Sequence, residues 1–189
     1  KVLGKYFYQN RTNAQFQELS PYLSEALIAT EDERFNEHSG IDLKGLTRAA
    51  VELVRTGKKK SGGSTITMQV AKNYYLSSEK TFTRKFTEIL LALKIEQSLS
   101  KEEILELYIN KIYLGKRAYG IEAAAQVYYG RSIKDLSLAQ LAMIAGLPQA
   151  PSAANPINSP KRAVDRRNYV LARMRNLDKI SEEEFQQAL

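Results

Sequence analysis

Helix start and stop signals recur along this chain while alternating strand patterns are nearly absent, which restricts it to an all-α fold. Ser20-Pro21 reads as an N-cap with proline at the first helical position, followed by Leu23, Ala26, Leu27 and Thr30 at helical spacing. Asp42 is suited to cap a second helix carrying Leu43, Leu46, Ala50, Leu53 and Val54, with Gly57 as its stop. A third helix is expected within Ser64–Leu76. A long amphipathic segment follows from Ser78 to Leu99, with Phe82, Phe86, Ile89, Leu90 and Leu93 as its stripe. Ser100 with Glu103, and Ser181 with Glu184, have the spacing of capping boxes. Further helices are expected over Ile121–Tyr129, Ser137–Ala145, Ser159–Asn176 and Ser181–Leu189. Pro148, Pro151 and Pro156 mark an extended connector.

Composition then narrows the chemistry. The 189 residues contain no cysteine and a single histidine, His38. Disulfides, thiolate nucleophiles and multi-histidine metal sites are thereby excluded, and a Ser-His-Asp triad would need that one residue. With 28 Lys+Arg against 21 Asp+Glu, the formal charge of +7 points to an anionic partner: nucleic acid, a membrane surface or a phosphorylated substrate. No apolar run approaches the roughly 18–20 residues that span a bilayer. The chain starts at Lys1 rather than Met, which reads as a cut or processed piece; a membrane anchor, if the protein has one, is expected upstream.

Three constellations can carry chemistry. Glu31-Asp32-Glu33-Arg34-Phe35-Asn36-Glu37-His38 closes a helix with four carboxylates, an aromatic ring and the only histidine. Glu31, Phe35 and His38 at i, i+4 and i+7 fit one helical face. A carboxylate against apolar surface there can serve as a general base, while the plainer alternative is a solvated acidic helix end. Gly62-Gly63-Ser64-Thr65 ahead of Gln69 and Lys72 is either an anion site at a helix entry or an ordinary loop junction. Lys80, Arg84 and Glu88 at i, i+4 and i+8 form a charged stripe opposite the apolar one. This is either a solvated face or a diphosphate clamp with a carboxylate for a divalent cation.

Taken together and in order, these segments resemble the peptidoglycan glycosyltransferase family. Glu31, Asp32, Phe35, His38 and Gly40 match Glu-Asp-x-x-Phe-x-x-His-x-Gly. Gly62 to Gln69 match Gly-Gly-Ser-Thr-Ile-Thr-Gln-Gln except at Met68, and Arg84, Lys85 and Glu88 match Arg-Lys-x-x-Glu. The blocks Ile104–Asn110 with Tyr113-Leu114-Gly115, and Ala123–Gly130, also match. Tyr113 to Gly120 looks closest to the class A penicillin-binding protein branch.

The resemblance implies a single domain over residues 1–189. A lysozyme-like large lobe would carry a smaller membrane-facing jaw lobe within 42–62 and neighbouring residues. It implies an inverting glycosyltransferase that joins lipid II and the growing glycan chain by β-1,4 linkage and releases undecaprenyl diphosphate. Glu31 would be the general base. Glu88 would be the second essential carboxylate, placing the donor diphosphate or its Mg²⁺. Lys72, Lys80 and Arg84 would hold diphosphate oxygens, with Asp32, Phe35, His38, Ser64, Thr65 and Gln69 lining the cleft. Met68 would remove one amide at the cleft rim. The class A likeness further implies a transpeptidase domain after Leu189, a periplasmic location at the bacterial inner membrane, and sensitivity to moenomycin.

This chemistry suits the residues present. A lipid diphosphate leaves without being protonated, so the site needs cations for the developing charge and one base for the acceptor hydroxyl. Lytic cleavage of peptidoglycan, the competing enzyme reading, needs instead an acid for a departing sugar. A nucleic-acid-binding module is disfavoured because basic residues are interspersed with acidic ones and no recognition-helix motif occurs. The jaw's membrane contact is expected from the 43–60 helix and its basic loop Lys58-Lys59-Lys60, for which a solvated turn is the alternative.

Overall fold

The computed structural model describes residues 10, 11, 13–57, 63–76 and 81–189. Helices dominate: α1 (Pro21–Glu31), α2 (Leu43–Thr56), α3 (Ile66–Tyr75), α4 (Phe82–Ser98), α5 (Lys101–Lys111), α6 (Ile121–Tyr129), α7 (Leu138–Gly146), α8 (Pro160–Asn176) and α9 (Glu182–Ala188). The only strands among the described residues, β1 (Asn10–Arg11) and β2 (Ala118–Tyr119), pair in parallel. The all-α expectation holds.

The local signals set the helix ends. Gly45 N donates to Asp42 Oδ1 at 2.9 Å, capping α2, and Gly57 ends it at φ +65°. Thr65 caps α3 by accepting from Met68 N at 3.1 Å. Reciprocal Ser–Glu bonds open α5 at Ser100 and Glu103 and α9 at Ser181 and Glu184.

The chain divides into two compact units. The first combines the described residues up to Thr30 with Ile109–Leu189, and its core is apolar. α7 buries Leu141 through Gly146, and α8 lays Ala163, Val170, Leu171 and Met174 inward. The expected extended connector is instead a series of turns. Buried Asn155 donates to the carbonyl of Pro151 at 2.7 Å and accepts from Asn158 N at 2.9 Å, folding the proline-rich segment onto itself.

The second unit, Glu31–Tyr108, holds α2, α3 and α4 and most of α5. Here α4 reverses the expected orientation. Phe86, Leu90 and Leu93 are exposed, whereas Glu88, Ala92 and Ile95 are buried. Arg84 and Glu88 of the charged row face inward because the cations neutralise the carboxylate there, an outcome that helical periodicity alone does not distinguish. Met68 is likewise a core residue rather than a rim residue, at 2% exposure.

Candidate active site

α1 stops at Glu31, so Glu31, Phe35 and His38 do not share a helical face; residues 33–40 form turns and bends. The turn is built around Asp32. Its carboxylate meets His38 Nε2 at 3.0 Å on both oxygens and accepts from Ile66 N at 2.9 Å on Oδ2. His38 Nδ1 accepts from Gly40 N at 3.1 Å, which places the ring proton on Nε2, facing Asp32. Gly40 lies at φ +93°, and a Cβ there would come within 2.9 Å of the Ala92 carbonyl, so the turn presses on α4 where only glycine fits.

Glu31, the last residue of α1, is half-buried and accepts from Gln69 Nε2 at 3.1 Å. Gln69 lies on α3, whose first turn is fixed by Thr65. The Thr65 hydroxyl donates to the Gly40 carbonyl at 2.7 Å and is itself buried. The glycine-rich entry therefore serves as a cap that ties α3 to the Asp32 turn.

Glu88, at 3% exposure, is held by two cations. Arg84 Nη1 bonds its Oε1, and Lys85 Nζ lies 2.8 Å from Oε2 while also donating to Ser64 Oγ at 2.7 Å. Arg84 Nε is buried without a partner. This is no solvated face, because a lone buried carboxylate is costly and only the paired cations make it tolerable. Lys72 is exposed on α3. Lys80 lies outside the described residues. Both Glu88 oxygens face cationic donors, and no cluster of three His, Asp or Glu occurs among the described residues. This donor set does not suit a divalent cation.

Sequence reasoning missed Lys85 as a partner of Glu88, missed Lys101 altogether, and placed Glu96 only at the end of the charged stretch that starts at Lys80, with no partner in the Asp32 turn. Lys101 Nζ donates to the His38 carbonyl at 2.6 Å and to Glu96 Oε1 at 2.8 Å, and stands 4.5 Å from the Phe35 ring centroid. Glu96 also accepts from the Thr67 hydroxyl at 2.6 Å. Phe35 is thus a buried platform under an ammonium. The Lys101–His38 contact spans 63 positions, beyond any local pattern, although Lys101 opens the helix that carries the fourth matching block.

Comparison with known proteins accords with this geometry. A family described as Transglycosylase matches residues 1–175. Penicillin-binding protein 1A of Pseudomonas aeruginosa is 55% identical over the whole chain, which spans 23% of that protein. The protein of the same name from Neisseria gonorrhoeae is also 55% identical, with 24% of its length covered. A crystal structure of penicillin-binding protein 1A from Haemophilus influenzae superposes with a TM-score of 0.59 at 33% identity, covering 96% of this chain and 17% of that one. The chain belongs to the transglycosylase family, as a peptidoglycan glycosyltransferase domain. It spans about a quarter of the length of the curated relatives it matches.

Proposed function

We propose that this domain polymerises lipid II, with Glu31 as the general base that takes the proton of the acceptor sugar hydroxyl as that oxygen attacks the donor. The observation that supports this is the convergence of three distant segments through directed bonds. Gln69 holds Glu31, Asp32 receives Ile66 N, and Lys85 joins Ser64 to Glu88. Positioned bases of this kind contribute ~10²–10⁴-fold.

The cations on Glu88 are the natural seat for the donor diphosphate. Arg84 and Lys85 are poised to transfer bonds from the carboxylate to phosphate oxygens as charge builds on the leaving group. The growing glycan is the donor and lipid II the acceptor, and moenomycin competes at the donor site.

A lipid substrate requires the enzyme at the membrane. No helix among the described residues is long and apolar enough to cross one. α2 instead exposes Leu43, Val51 and Val54, interleaved with Lys44, Arg48 and Arg55, the pattern of a helix lying in an anionic interface. Lys58-Lys59-Lys60 lie outside the described residues. We place the domain on the periplasmic face of the inner membrane, in a longer protein with an upstream anchor and a further, transpeptidase domain.

The deciding experiment follows labelled lipid II with the full-length protein and its Glu31→Gln variant, with and without moenomycin. The expected result is moenomycin-sensitive polymer from the parent and ~10²-fold or greater loss in the variant. Normal polymerisation by Glu31→Gln refutes the base assignment. Clearing of a cell-wall suspension by the parent would instead establish lytic chemistry.

A further inference from the structure

Lys101 and Glu96 meet beside the candidate site, and the reaction described above gives them no task. Lys101 opens α5, and Glu96 lies in the last turn of α4. Their side chains touch at 2.8 Å, with only 7% of the Glu96 side chain exposed. An ion pair drawn out of water adds little stability over apolar side chains of similar volume, so stability does not explain it. What such a pair supplies is direction, because its charge-assisted bonds admit few orientations.

The bonds around the pair run two ways. On one side Lys101 Nζ donates to the His38 carbonyl at 2.6 Å, and the His38 ring meets the carboxylate of Asp32, the residue after Glu31, at 3.0 Å. On the other, Glu96 Oε1 accepts at 2.6 Å from the hydroxyl of Thr67, a fully buried residue in the first turn of α3. Two residues beyond Thr67, Gln69 Nε2 donates to Glu31 Oε2 at 3.1 Å. The pair therefore ties the turn that follows Glu31 to the helix that carries Gln69, and the spacing of those two segments sets the Gln69–Glu31 bond. We propose that Lys101 and Glu96 are positioning residues for polymerisation, holding the Gln69 amide on Glu31 so that the carboxylate is correctly turned to take the acceptor proton. This rests on the reading of Glu31 as the base. Neither residue touches the sugar; both act through Gln69 and Glu31. A displacement of ~1 Å at a reacting group costs on the order of 10²-fold in rate, and it does so without loss of the fold.

The test compares the full-length parent, Lys101→Met and the apolar replacement Lys101→Met/Glu96→Met/Thr67→Val. For each, kcat and KM for lipid II and the thermal midpoint are measured together, with kcat expressed per folded molecule. The triple change strands neither the Glu96 charge nor the Thr67 hydroxyl, so its midpoint should lie at or above that of Lys101→Met. In both variants kcat should nonetheless be lower by roughly 10–100-fold. KM should stay within about threefold, because neither side chain binds substrate. In a Gln69→Leu background the triple change should lower kcat by less than about threefold, because the amide it positions is gone. Parental kcat per folded molecule in either variant overturns the proposal, as does a loss in the Gln69→Leu background as large as in the parent. If Glu31→Gln is inactive while the triple variant is fully active, the pair alone is misassigned. If Glu31→Gln polymerises normally, the base reading itself fails.

Discussion

Lys101→Met gives the sharpest test of how the Asp32 turn is held. Methionine keeps the apolar stem over Phe35 but removes the ammonium that bonds the His38 carbonyl at 2.6 Å and Glu96 at 2.8 Å. Glu96, with 7% of its side chain exposed, then loses its cation and keeps the Thr67 hydroxyl. Removing one partner of a buried pair costs about 3–5 kcal/mol. The Lys101 side chain is 26% exposed, so water recovers part of this, leaving ~2–3 kcal/mol. The loss falls on the 32–40 turn and the start of α3. Hydrogen exchange of peptides from those segments in the full-length protein reads it directly, as local opening ~30–150-fold more frequent. Adding Glu96→Gln removes the stranded charge, so the double variant should exchange more slowly than Lys101→Met alone. Exchange within about threefold of the parent in both segments would refute the account, because the network would then carry no energy.

Three further outcomes follow from the same geometry. Arg84→Ala should weaken binding of a diphosphate-bearing donor analogue while far-UV circular dichroism stays constant; unaltered affinity argues against the clamp. Val54→Glu on the exposed face of α2 should reduce sedimentation with anionic vesicles and leave the fold intact. Tyr128 has its pKa raised from 10.0 to about 12, by burial first and then by Tyr113, and it donates to the Leu114 carbonyl at 2.8 Å. A raised folded pKa gives a contribution that is complete below pH 10.0 and lost as pH climbs toward about 12. Tyr128→Phe should accordingly show a shallower loss of stability than the parent across that interval, measured by urea denaturation.

What was legible in the sequence was local. Asp42, Ser100 and Ser181 act within four residues of themselves, and the helices they open start where their spacing predicts. The motif residues were legible as a set, but their division of labour was not. Thr65 reads as a substrate contact until the Gly40 carbonyl is found on its hydroxyl, 25 positions away. α4 has two faces of helical period, and apolarity alone selects Phe86, Leu90 and Leu93 for the interior. The structure buries Glu88 instead, because Arg84 and Lys85 neutralise it. That choice depends on Ser64, which lies 21 positions before Lys85.

The placement of buried polar groups argues for what the second unit is built to do. Asp32, Thr65, Thr67 and Glu88 are buried within Glu31–Tyr108, whereas the first unit's core of Ala123–Ala125, Leu141–Gly146, Val170, Leu171 and Met174 is almost wholly apolar. Each buried carboxylate is destabilising unless its partners are fixed in advance, and here they are fixed by bonds that join three motifs. A site that stabilises developing charge gains most when its dipoles and cations need not reorganise during the reaction. Among the described residues, the buried side-chain polar atoms without a hydrogen bond fall in the same unit: Arg84 Nε beside the Glu88 cluster, and the Tyr108 hydroxyl. Arg84 Nε is a donor with a bond still to make, beside cations already suited to an incoming anion.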